Sequence, residues 1–216
     1  MADNPAPQPV DPQPVARRPG GRTARVREQI LDATVNLVAR HGIVGLRYDE
    51  VAELAGVNKT SVYRNWPDRD KLVSEAMIRF GTDTVPLTDT GDLRRDLVDF
   101  QMRLAAMITT PTGRAFMTVV QTASENAEVQ RTVKMVLEQR VSAVQHRVDR
   151  SVERGELPPV DGYFFGEMLT APVHLYFIRG IRPFTRAEAE QITDVVLAGV
   201  RATYSSRVAV SGGPES

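Results

Sequence analysis

The sequence predicts an all-α protein: an N-terminal three-helix unit containing a helix-turn-helix, then a larger C-terminal helical bundle. Two observations predict it. Apolar residues recur at i, i+3, i+4 and i+7 through most of the chain, and no period-2 alternation is long enough for a strand. The breaks between periodic segments carry glycine, proline and capping residues, as helix ends do.

Six prolines fall within the first nineteen positions, so residues 1–21 are expected to be a disordered tail ending in the basic, glycine-rich "RRPGGR". A helix starts near Thr23, with Ile30, Ala33, Thr34, Leu37 and Val38 on one face and Gly42 as its C-cap. A short second helix covers Tyr48 to Ala55, with Val51, Ala52 and Leu54 inward, and Gly56 ends it. A third begins after the N-cap Asn58 and runs to about Trp66. Pro67 and Asp68 stop it and cap a fourth, "RDKLVSEAMIRF". Beyond Gly81, helices are expected at about 91–109, 113–123, 126–154, 161–179 and 185–205. The expected organisation is a helix-turn-helix unit over 22–67, a larger helical unit over 68–206 and a flexible tail over 207–216.

With 42% hydrophobic and 25% charged residues, the 216-residue chain has an ordinary globular composition. It contains no cysteine, which excludes disulfides, Cys-ligated zinc and a thiol nucleophile. No apolar run is long enough to span a bilayer and no secretion signal opens the chain, so a cytoplasmic protein without a membrane partner is expected. The formal net charge of zero hides an asymmetry. From Arg17 to Lys71 there are eleven Lys/Arg against seven Asp/Glu, and Arg17 to Arg27 holds five arginines and no acid. A local basic patch matters more than the sum when the partner is a polyanion.

The second and third helices, joined by a tight turn with glycine in it, read as a helix-turn-helix. Val62 and Trp66 share a face one turn apart and are assigned to packing. That turns Thr60, Ser61, Tyr63 and Arg64 outward. Short hydroxyls allow close approach to base edges, arginine binds guanine bidentately, and tyrosine at such a site reaches a phosphate. Lys59, Lys71 and the arm arginines, Arg22 and Arg25 among them, supply charge for the flanking backbone. Arg47 and Tyr48 open the second helix, whose first amides can face a phosphate.

"ILDATVNLVARHGIVGLRYDEVAELAGVNKTSVYRNWPDRDKLV", Ile30 to Val73, resembles the N-terminal domain of the TetR (tetracycline repressor) family, most specifically in "AGVNKTSVYRNWPDRDKL". "SVERGELPPVDGYFFGEML" is similar to a C-terminal domain found in many members. The resemblance implies a homodimeric transcription factor, usually a repressor, that binds a small-molecule effector. It implies that Thr60, Ser61, Tyr63 and Arg64 lie in the major groove, and that Lys59, Lys71 and the arm touch phosphates. Family members often cap the second helix with Thr or Ser; here the neighbourhood is "LRYDE", so Arg47 or Tyr48 is expected to take that contact.

The helix over 161–179 is apolar nearly all round, so it must be covered on every side, and a second copy can supply one face. Leu175 and Tyr176, with Ile192, Val195, Val196, Gly199 and Val200 of the last helix, are the expected dimer interface. Phe80, Phe100, Met107, Phe116, Met117, Met135, Phe165 and Met168 are candidates for an apolar effector pocket, although a Met/Phe set at helical spacing is often plain core. The three histidines are scattered without metal-ligand spacing, and no catalytic constellation appears, so no metal, cofactor or enzymatic activity is expected. Glu153, Arg154 and Glu156, at a helix end, are expected to be solvated. The alternative to a ligand-responsive repressor is an architectural DNA-binding protein without a ligand.

Overall fold

A computed structural model describes residues 21–211 of the chain, with side chains described for 23–204. Its helices are α1 (Gly21–His41), α2 (Tyr48–Ala55), α3 (Lys59–Asn65), α4 (Arg69–Thr84), α5 (Leu93–Thr109), α6 (Pro111–Gln121), α7 (Ala127–Glu153), α8 (Gly162–Arg179) and α9 (Arg186–Ser211). A 3₁₀ turn, Ala123–Glu125, links α6 to α7, and the described residues contain no strand. The fold is all-α, as the sequence predicts. The expected N-terminal tail, apart from Gly21, lies outside the described residues, as does the side chain of Arg22.

Local chemistry fixes most boundaries. Asp68, Asp92, Thr110, Asn126 and Asp161 each accept a backbone N–H of the helix they precede. Pro111 occupies the first turn of α6, so that helix starts before the expected position 113. Two ends differ from expectation. α4 continues through Gly81 to Thr84, and Gly81 is buried against the Arg140 side chain of α7. α9 continues past 205 to Ser211.

The core has three apolar clusters. The first joins α1 to α4 through Ile30, Val51, Val62, Trp66, Leu72 and Val73, and continues into α7 through Val129, Val133 and Val136. The second gathers Leu97 of α5, Val148 of α7, Phe165 and Leu169 of α8, and Leu197 and Val200 of α9. The third holds Phe100, Leu104 and Met107 of α5, Met117 of α6 and Val173 of α8. α4 therefore packs with the helix-turn-helix on one side and with α7 on the other. An ion pair from Arg69 at its start to Glu128 at the start of α7 reinforces the junction.

Candidate nucleic-acid interface

α2 and α3 meet at Gly56, whose φ of 64° and ψ of 34° lie in the left-handed region that a side chain disfavours. Gly56 N–H donates to Glu53 O at 3.1 Å and Val57 N–H to Ala52 O at 3.0 Å, closing the α2 end. Asn58 Oδ1 accepts Thr60 N–H at 2.9 Å and starts α3. Val62 is fully buried and Trp66 is 3% exposed, so one face of this seven-residue helix is fixed inside. Thr60, Tyr63 and Arg64 are exposed on the other side and Ser61 is half-buried.

The inner face is held by contacts that no sequence pattern announced. Trp66 Nε1 donates to Glu75 Oε2 on α4 at 2.8 Å. Arg27 of α1 pairs with the same carboxylate and lies 4.8 Å from the Trp66 ring centre. α1, α3 and α4 thus share one clamp, in which Arg27 and Glu75 lie 48 positions apart in the chain.

Tyr48 corrects the expectation. Its side chain is buried, and its hydroxyl donates to Trp66 O at 2.8 Å, so it does not face a phosphate. Burial, and then the charge of Asp68, push the phenol up to about 12, keeping it a neutral donor. It also packs against Tyr63, ring centres 4.7 Å apart, and thereby sets that ring's position. Tyr48→Phe removes one buried hydrogen bond and leaves the Trp66 carbonyl short of a donor; a loss of about 1–2 kcal/mol is expected in urea unfolding. The salt dependence of DNA binding should not change, since no phosphate contact is lost.

Arg47 is exposed and extended, and its side chain forms no cap on α2, so the first amides of α2 are left without a protein side-chain acceptor. Lys71 and Arg25 are exposed, with no ion pair to either among the described residues. Lys59 pairs with Asp49; the hydrogen bond between them raises the Lys59 pKa and lowers that of Asp49. Leu54, expected inside, is 47% exposed on the outer side of α2.

The other predicted sites are split. Phe100, Met107 and Met117 share the third cluster, with Phe80 and Phe116 packed against it. Phe165 lies in the second cluster, while Met135 and Met168 are exposed and cannot line an interior pocket. The space that Phe100 and Phe165 line together with Val144 and Leu169 is only about 10 Å³, enough for one water. A larger groove of about 310 Å³ opens between α1, α4 and α6 over Leu31, Val35, Ala76 and Phe80. On the predicted dimer face, Leu175, Val195 and Gly199 are exposed, and Tyr176, Ile192 and Val196 half-buried. Val200 is buried in the core of this chain, because α9 turns Ala189, Thr193, Leu197 and Val200 inward. Phe164 and Ile178 of α8 are also exposed.

Glu156 and Arg154 are not simply solvated. Arg154 bonds Asp89 and Glu156, and Glu156 also lies 3.7 Å from the buried Arg147. No group of three or more potential metal ligands occurs among the described residues.

Residues 30–76 match the family described as "Bacterial regulatory proteins, tetR family", and residues 87–196 match "Tetracyclin repressor-like, C-terminal domain". The chain is 30% identical to the HTH-type transcriptional regulator AqdR of Rhodococcus erythropolis over 191 residues, 88% of this chain and 92% of that one. It is 30% identical to an uncharacterized HTH-type regulator of Mycobacterium tuberculosis, Rv1556, over 70% of this chain and 71% of the relative. Among solved structures it is similar to the TetR family regulator SCO0332, with TM-score 0.66 and 27% identity, covering 82% of this chain and 98% of that one.

Proposed function

Since this chain belongs to the tetR family of bacterial regulatory proteins, and so is a helix-turn-helix transcriptional regulator and not an enzyme, we propose that it is a homodimeric repressor released from its operator by a small molecule. One observation carries the DNA-reading part. Thr60, Tyr63 and Arg64 stand exposed together on a short helix whose opposite face is locked by Val62 and Trp66. A helix fixed on one side and hydrogen-bonding on the other suits insertion into a major groove.

Arg64 reads a base edge; Thr60 and Ser61 allow close approach; Tyr63, Lys59, Lys71, Arg47 and Arg25 in the first turns of α1 meet phosphates. The exposed apolar side chains Leu175, Ile178 and Val195 support pairing with a second copy through α8 and α9. Two copies of α3 then enter successive major grooves about 34–36 Å apart and read a pseudo-palindrome. The effector acts by favouring a dimer with a different spacing, which requires differential affinity for the two shapes. α4, packed against both α1 and α7, is the transmitting element.

Selection of binding sites from random DNA should return an inverted repeat. Arg64→Ala should then lose about 1–3 kcal/mol of operator binding and relax the preference at one base pair in each half-site. Lys71→Ala should weaken all sequences alike and flatten the salt dependence. Arg64→Ala binding with wild-type strength and selectivity would sink the base-reading role. An architectural binder would return no consensus and no ligand would release it.

A further inference from the structure

α7 presents an inward apolar stripe: Val129, Val133, Val136, Val144 and Val148. One helical position of that stripe, four residues from both Val136 and Val144, is filled by Arg140. Its side chain is largely withdrawn from solvent, and among the described residues no hydrogen bond or ion pair reaches it. Two turns further, Arg147 displays the opposite condition. It is fully buried but bonded to Asp96, Ser151 and the Thr88 carbonyl, with Asp89 and Glu156 nearby. A withdrawn guanidinium without an anion is costly, and such residues cluster at functional sites.

The surroundings of Arg140 are arranged to accept it. A Cβ built on Gly81 of α4 would overlap Nη1 and lie 3.5 Å from Cζ, so glycine there makes room for the guanidinium. His174 of α8 is the second basic group. Burial first, and then the charge of Arg140, hold its imidazole below the ordinary histidine range. In its neutral form the imidazole can still donate one N–H. Phe80 precedes Gly81 and Val173 precedes His174, and both belong to or pack on the cluster of Phe100, Leu104 and Met107.

We propose that Arg140, with His174 beside it and Gly81 making room, is the seat for the carboxylate of a small organic acid whose apolar body lies among the neighbouring phenylalanines. Guanidinium offers a carboxylate two parallel N–H donors, and His174 supplies a third. The inference rests on the effector reading above and names the chemical class of that effector. The spaces on either side along α7, one lined by Val136 and Leu137 and one by Val144 and Phe100, are each only about 10 Å³, so seating a ligand must part α4, α7 and α8. That movement at Gly81 is felt along α4, which carries the clamp on α3.

The test uses the full-length protein and two probes, 2-naphthoate and decanoate, each compared with its primary amide by calorimetric titration. At least one acid should bind about tenfold or more tightly than its amide. Arg140→Met should abolish that preference, and Arg140→Lys should retain part of it. Without ligand, Arg140→Met should raise Tm by about 2–4 °C, because an unpaired cation is removed from an apolar stripe. Failure of both acids to bind, equal binding of acid and amide, or a preference that survives Arg140→Met overturns the proposal. So does dissociation of the dimer by Arg140→Met, which would assign the missing anion to the other subunit. Acid binding that depends on Arg140 but leaves operator DNA bound keeps the seat and defeats the effector reading. Release of DNA by a neutral compound, indifferent to Arg140, does the reverse.

Discussion

Arg147→Ala is expected to lower unfolding free energy by about 3–5 kcal/mol, because it strands a buried carboxylate. Arg147 and Asp96 both have side chains only 2% exposed, and Arg147 Nη2 lies 3.2 Å from Asp96 Oδ2. Asp96 also accepts Thr90 N–H at 2.9 Å, Thr90 Oγ1 at 2.7 Å and Thr88 Oγ1 at 3.2 Å. The network ties α5 and α7 to the 85–92 loop, where Asp89 further pairs with Arg150 and Arg154. Removing the guanidinium leaves Asp96 ionised in a dry site with only neutral donors. Removing both charges is different: Arg147→Met with Asp96→Leu should recover most of the loss, since apolar replacement of a whole buried pair is often neutral. Urea unfolding of the four proteins in a double-mutant cycle measures the coupling; a single-variant loss under 1 kcal/mol would contradict it.

The same pair fixes an acid dependence. Burial alone would raise the Asp96 pKa, but the Thr90 amide and hydroxyl, Arg147 and Thr88 outweigh it and hold the carboxyl below its usual range. A folded pKa depressed below the unfolded value of about 3.9 contributes stability that is complete above that value and lost as pH falls through the folded pKa. The gap between wild type and Arg147→Ala should therefore be widest at neutral pH and narrow in acid below about pH 4.

Trp66→Ala is the second large effect, about 3–5 kcal/mol, and it strikes the DNA-reading unit. Trp66 fills the space between α1, α3 and α4, its Nε1 holds Glu75, and Arg27 stacks on its face. A seven-residue helix has no stability of its own, so α3 persists only through such packing. The variant should lose operator binding more than tenfold while α5, α8 and α9 keep their hydrogen-exchange protection. Trp66→Phe, which keeps one aromatic ring but loses the N–H donor and part of the buried bulk, should lose about 2–3 kcal/mol. Trp66 is the sole tryptophan, so circular dichroism must follow the unfolding. Wild-type affinity in Trp66→Ala would mean that α3 is positioned by something else.

How much of this was legible depended on range. Asn58, Gly56 and Asp68 marked their boundaries because each acts on backbone groups within a few residues. Tyr48 and Tyr63 could not be told apart in the same way. Both are tyrosines on short polar helices, and only docking of α2 against Trp66 buries one hydroxyl and leaves the other ring outside. Val195 and Val200 posed the same difficulty. α9 carries apolar residues on several sides, and the inward side is chosen by α5 and α8.

By itself the sequence determined the all-α class, most helix ends, the glycine turn and the outward set of Thr60, Tyr63 and Arg64. Only the tertiary structure decided that Tyr48 is a brace, that Met135 and Met168 lie on the surface, and that Arg147 is satisfied while Arg140 is not. The physical reason is separation. Caps and left-handed glycines are satisfied within one turn, whereas Arg27 meets Glu75 across 48 residues and Arg147 meets Asp96 across 51, so burial and charge pairing exist only once the helices have packed.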